Sequence, residues 1–148
     1  MTTIMHRLET KASAAQLWRC LSDLTLVQSY NPTVAKATLT ENSKPGLGTL
    51  RVCDLKPKGK VIERVTVWEE GKALGLEIVE SDWPITSMNW VTRIEPAPSG
   101  SVLTQRLDYS MKFGPFGALL NALVMKRNIT KNVGEALQGL IRMAETST

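Results

Sequence analysis

The sequence predicts an α+β fold, one large antiparallel sheet gripping one long C-terminal helix. Three observations predict it. The tail from Gly114 to about Ala144 is the only long helical pattern, with Phe116, Leu120, Leu123 and Val124, then Val133, Leu137, Leu140 and Ile141, at helical spacing. The middle of the chain is a succession of strand patterns split by short turn signals, too short for crossovers, so neighbours pair antiparallel. An apolar helix stripe and an apolar sheet face must cover each other, because neither buries itself alone.

Composition narrows the function classes. At 148 residues, 43% of them hydrophobic, the chain suits one domain with a real core. No apolar run is long enough to span a bilayer, which argues against integral membrane association. The start, MTTIMHRLETKAS, lacks the apolar centre of a signal peptide. Cys20 and Cys53 match no metal or redox spacing, so a reduced, cytoplasmic protein is expected. The net charge of +4 is spread along the chain. Lys56, Lys58 and Lys60 at one turn and Lys126-Arg127 on the helix read as solvated lysines and arginine. No nucleic-acid partner is expected, because that needs a basic stripe with interleaved aromatics. A homodimer stays open.

The elements follow in order. Residues 2–9 alternate as a first strand. Ser13 suits the N-cap of AAQLWRCLSD, whose Leu17, Trp18 and Leu21 form one apolar face. Asp23 suits the cap of a short turn through Leu24–Gln28, which Asn31-Pro32 then breaks. Six strands come next, at 34–40, 48–55, 60–69, 73–80, 85–95 and 101–113, the first two separated by the loop ENSKPG. Pro115 suits the first turn of the long helix. Alternation puts Leu107, Tyr109, Met111 and Phe113 on one face, as it does Met88, Trp90 and Ile94, and Leu74, Leu76 and Ile78. In 61–67 the apolar face holds Val61, Val65 and Val67, and Glu63 shares it. A carboxylate there is costly unless paired, hydrogen-bonded or wet.

Four short motifs in this order resemble a known family. Ala14–Asp23 ends in Leu-Ser-Asp; Tyr30-Asn31-Pro32 follows; Gly48-Thr49-Leu50-Arg51 opens one strand and Val61-Ile62-Glu63-Arg64-Val65 another. The chain resembles the START-like superfamily of helix-grip proteins, which includes birch pollen allergens, polyketide cyclase/dehydrase-like proteins and abscisic-acid receptors. The resemblance implies a single ligand-binding domain over 1–148, with a cavity between sheet and helix. Its wall would include Asn31, Arg51, Glu63, Leu76, Met88, Trp90, Tyr109 and Met111, with Leu120, Leu123 and Val124 from the helix. Asn31 stands where the abscisic-acid receptors place a ligand-binding lysine, and KPKG carries no Ser-Gly-Leu-Pro gate. A hormone-receptor role does not follow.

The expected function is binding or carrying a small hydrophobic molecule, aromatic, polyketide-like or lipid. One alternative is a cofactor-free cyclase/dehydratase with Glu63 as acid/base and Tyr109 as partner acid, since desolvation makes a carboxylic acid weaker. Another is a protein-interaction module with a filled cavity. Arg51 faces Glu63 only if the KPKG hairpin is centred on Pro57; a two-residue loop would set Arg51 against Arg64. Such a pair reads either as a ligand anchor or as a structural ion pair. Trp18 reads as core and Trp68 as outward-facing. Trp83 reads as cavity rim, and Trp90 as lining or filling the cavity. His6 is the only histidine, so neither a catalytic triad nor a metal site is expected. No cofactor is implied. PFGALLNALVMKR has a membrane-surface look, but its apolar side is expected to pack on the sheet.

Overall fold

The computed structural model describes residues 1–40 and 44–147. Glu41, Asn42 and Ser43, in the predicted ENSKPG loop, lie outside the described residues. Strand β1 (Thr2–Thr10) leads into helix α1 (Ala14–Ser22). Ser13 forms the predicted cap in its reciprocal form: its hydroxyl accepts from the Gln16 N–H at 3.1 Å, and Gln16 Oε1 accepts from the Ser13 N–H at 2.8 Å. A 3-10 turn (Leu24–Leu26) and the short α2 (Val27–Tyr30) follow. At Asn31 the backbone turns extended before Pro32, as the sequence requires.

Strands β2 (Val34–Leu39), β3 (Leu50–Leu55), β4 (Lys60–Glu69), β5 (Ala73–Ser81), β6 (Ile85–Ala97) and β7 (Gly100–Met111) then pair antiparallel in sequence. β1 closes onto β7, so the described strands form one sheet in the order β1-β7-β6-β5-β4-β3-β2. The chain ends in α3 (Gly114–Leu120), a π-helical turn (Asn121–Met125) and α4 (Lys126–Thr146), which run on without a break.

The core lies where α1 and the end of α4 meet the sheet. Leu17, Leu21 and Leu24 pack with Leu137, Leu140 and Ala144, over Val65, Leu74, Ile94 and Leu103. Each such leucine contributes roughly 1.5–3 kcal/mol by leaving water. Gly139 lets α4 cross α2 closely, because a side chain there would run into the Tyr30 carbonyl oxygen. Gly134, further back on α4, lies against His6 of β1.

Two sequence expectations fail here. A β-bulge between Val65 and Val67 reverses the alternation of β4. Trp68 pairs with buried Leu74, turns inward and meets Trp18 edge-on at 5.3 Å, while Val67 lies beside Gly75 and Val91. Glu70 then accepts from both indoles, at 3.2 Å from Trp18 Nε1 and 2.9 Å from Trp68 Nε1.

The second concerns the start of the long helix. The sequence expectation sets Phe116, Leu120, Leu123 and Val124 against the sheet, yet all are exposed, Phe116 by 81%, and Leu119 beside them is exposed too. The inward side is held by small and polar groups. Gly117 lies against the Lys112 carbonyl, and Asn121 Oδ1 accepts from the Tyr109 hydroxyl. The π turn then adds a residue to the helical repeat, so Met125, Ile129 and Val133 return to face inward.

A cavity with a buried ion pair

Between sheet and helix lies a cavity of about 460 Å³. Its wall is mostly apolar: Leu74, Leu76, Ile78, Met88, Trp90 and Leu107 from the sheet, and Ile129, Val133, Leu137 and Leu140 from α4. Leu21, Val27 and Tyr30 close the side towards α1 and α2. Among its lining residues Lys56, Pro57, Lys58, Asn128 and Asn132 are exposed, which places the opening between the β3–β4 turn and α4.

One charged group is built into this wall. The β3–β4 hairpin is centred on Pro57, so Arg51 pairs with Glu63 across the strands. Arg51 Nε donates to Glu63 Oε1 at 2.7 Å, and the two residues are 4% and 6% exposed. Arg51 Nη1 also donates to the Leu24 carbonyl at 3.0 Å, which ties the sheet to the turn after α1. The Cys53 thiol donates to the same Glu63 oxygen at 3.3 Å.

Titration follows from burial and these neighbours. Burial is the largest influence on Arg51 and works to lower its pKa, but the Glu63 charge, Cys53, Tyr30 and the Glu63 hydrogen bond together outweigh it and hold the guanidinium proton more tightly than usual. Burial, and then the Glu63 charge, push Cys53 up to about 12. Cys53 is therefore a protonated thiol at neutral pH and no nucleophile. Burial likewise pushes the Tyr30 hydroxyl up to about 12. A second polar contact in the wall is neutral: Thr92 donates to Gln105 Oε1 at 2.9 Å.

The sequence-predicted residues divide into two groups. Asn31, Arg51, Glu63, Leu76, Met88 and Trp90 line the cavity together, with Trp83 at its edge. Asn31 also caps its own turn, its Oδ1 accepting from Thr33 N and Oγ1 at 3.0 and 2.8 Å. Tyr109, Met111, Leu120, Leu123 and Val124 lie outside the lining. Tyr109 is fully buried beside Ile4, Met88 and Leu107, its hydroxyl engaged by Asn121. It sits three strands from Glu63, ~14 Å at the usual strand spacing, so the two cannot exchange a proton directly. His6 is also outside, its Nε2–H donating to the Thr130 carbonyl at 3.1 Å while Nδ1 is buried without a partner.

Tyr30, Cys53, Gln105, Ile129 and Val133 were missed as lining. Cys53 and Gln105 share inward parity with Arg51 and Leu107, so alternation alone could have found them. Val133 belongs to the helical stripe of Leu137 and Leu140, and Ile129, one turn earlier, continues it.

The fold and cavity define a class, a helix-grip protein with a hollow between sheet and C-terminal helix. The chain belongs to the family described as polyketide cyclase/dehydrase and lipid transport, whose model matches residues 1–145. No curated protein matches it in sequence. Among solved structures it is similar to Ara h 8.0201, at 13% identity, with a TM-score of 0.79 and 99% of each chain covered. It is similar also to XoxI of Bacillus cereus, at 14% identity and TM-score 0.78, covering 99% of this chain and 97% of that one. Norcoclaurine synthase of Thalictrum flavum, solved with dopamine and hydroxybenzaldehyde, aligns at 18% identity and TM-score 0.75, with 99% and 88% covered. At these identities the likeness is one of fold.

Proposed function

We propose that the protein binds and carries a small, mainly apolar molecule in the cavity, with one polar group of that molecule set at Arg51 and Glu63. The carrying observation is the buried Arg51–Glu63 pair in a mostly apolar wall. The cavity volume suits one ligand of modest size. The pair has no net charge, so it favours a neutral group that both donates and accepts, such as a hydroxyl, over a carboxylate or an amine. Tight pairing of Glu63 with Arg51, and the engagement of Tyr109 elsewhere, favour binding over acid/base turnover.

The test is a thermal-shift comparison of aromatic alcohols with their matched hydrocarbons, carboxylates and amines. A ligand of the native state raises the melting temperature by mass action. The neutral alcohols are expected to give the largest rise, and Ala136→Phe, which fills the cavity from α4, should abolish it. No rise with any class, in a protein that melts cooperatively, would overturn the proposal.

A further inference from the structure

The first turns of the long helix are inside out. Phe116, Leu119, Leu120, Leu123 and Val124 follow the i, i+3, i+4, i+7, i+8 pattern of an apolar helix face, and that face looks into solvent. The side turned to the sheet carries Gly117 and Asn121 instead. Phe113 extends the patch: it takes left-handed backbone at φ 72°, a conformation bulky residues disfavour, and presents its ring to water. A contiguous apolar surface of this kind marks a contact site.

The charge around the patch identifies its partner. From Tyr109 to Gly134 the chain has Lys112, Lys126, Arg127 and Lys131 and no acidic residue. The bond from Lys112 N to the Pro84 carbonyl sets the start of α3 beside the β5–β6 loop. Gly59 of the β3–β4 turn in turn lies near Asp82 of that loop, so exposed Lys56, Lys58 and Lys60 are at the same end of the sheet. Asp82 is the acid of this loop, against a clear majority of cations. A two-fold contact between copies would bring these like charges together. An anionic bilayer accepts both features, apolar side chains among its acyl chains and lysines at its headgroups.

We propose that α3 and its basic surround are a peripheral docking surface for anionic lipid membranes. α3 and the π turn after it lie in the interface plane, with Phe116, Leu119, Leu120 and Leu123 inserted. No helix among the described residues is long and apolar enough to cross a membrane, so the contact is peripheral. The same docking brings the cavity opening, between Lys56–Lys58 and Asn128, close to the bilayer surface. The inference stands whether or not the cavity takes a ligand.

Vesicle co-sedimentation tests it. The protein is mixed with vesicles of phosphatidylcholine alone, or with roughly one third phosphatidylglycerol, at low and high salt. Binding is expected on the anionic vesicles only, weakened by salt. The F116S/L123S protein should bind at least about tenfold more weakly, with its melting temperature preserved because both side chains are exposed. Lys126→Glu with Arg127→Glu should abolish the preference for anionic lipid. Absence of binding at low salt, equal binding to neutral vesicles, or binding unaffected by F116S/L123S would overturn the proposal. So would a dimer in sedimentation velocity that F116S/L123S dissolves, because a second copy would then own the surface.

Discussion

The two ends of the C-terminal helix carry similar apolar periodicity and have opposite fates. In α4, Leu137, Leu140 and Ala144 disappear into the core beneath α1. In α3 and the π turn that follows it, Phe116 and Leu123 stand in water. The difference lies in the neighbours. α4 meets an apolar sheet face and is drawn close at Gly139, whereas α3 is pinned by an Asn121–Tyr109 hydrogen bond and a glycine against a carbonyl. Periodicity says that a helix has an apolar face; it does not say which way that face points.

The largest expected effect comes from the wall between these ends. Arg51→Leu alone leaves Glu63 buried without its partner and should cost about 3–5 kcal/mol in urea unfolding. The double substitution Arg51→Leu with Glu63→Leu should recover much of that loss, as removing both charges lifts the desolvation burden. Additive losses in the double-mutant cycle would contradict a coupled pair.

Next comes the comparison itself. Leu140→Ala should cost about 2–5 kcal/mol, because it removes a fully buried side chain that packs against the core beside the cavity. Leu123→Ala should stay within about 0.5 kcal/mol of the parent. Equal costs at the two positions would mean that Leu123 is buried in solution.

Alkaline pH should act more mildly. Cys53 and Tyr30 ionise near 9.0 and 10.0 when unfolded and only at about 12 when folded. Their raised values give stability that is complete below pH 9 and is lost as pH climbs towards 12, because the unfolded chain sheds those protons first. The melting temperature should therefore fall over that window, and Cys53→Ala should flatten the first part of the decline. A melting temperature that rises from pH 9 to 11 would reverse the sign.

The smallest effect is expected at Phe116. Its substitution by serine should leave stability unchanged or slightly raised, since it removes exposed apolar surface from water.

Most of the fold was legible because its signals are local. Ser13 specifies a cap, Asn31-Pro32 a break, and period-2 alternation the strands. Alternation put Glu63, Leu76, Met88 and Trp90 on the inner face, whereas Arg51 came with the family resemblance and its pairing with Glu63 depended on the hairpin register. What failed involved a change of phase. The bulge at Val65/Val67 turned Trp68 inward, and the π turn at Asn121–Met125 carried Leu120, Leu123 and Val124 away from the cavity. A phase change is one residue of geometry with no composition of its own. Tyr109 shows a third limit: its parity was right, but Asn121 closes over it and it lines nothing. Whether the space is hollow depends on how side chains meet across elements, which no single strand records.

The most direct test of the central claim is a titration with a neutral naphthylamine dye that fluoresces in apolar surroundings. The dye has two apolar places to go, the cavity and α3. Saturable binding of one dye per chain, lost in Ala136→Phe and kept in Phe116→Ser, is the predicted result. Binding that survives Ala136→Phe but vanishes in Phe116→Ser would place the dye on the exposed helix and contradict the cavity as the binding site.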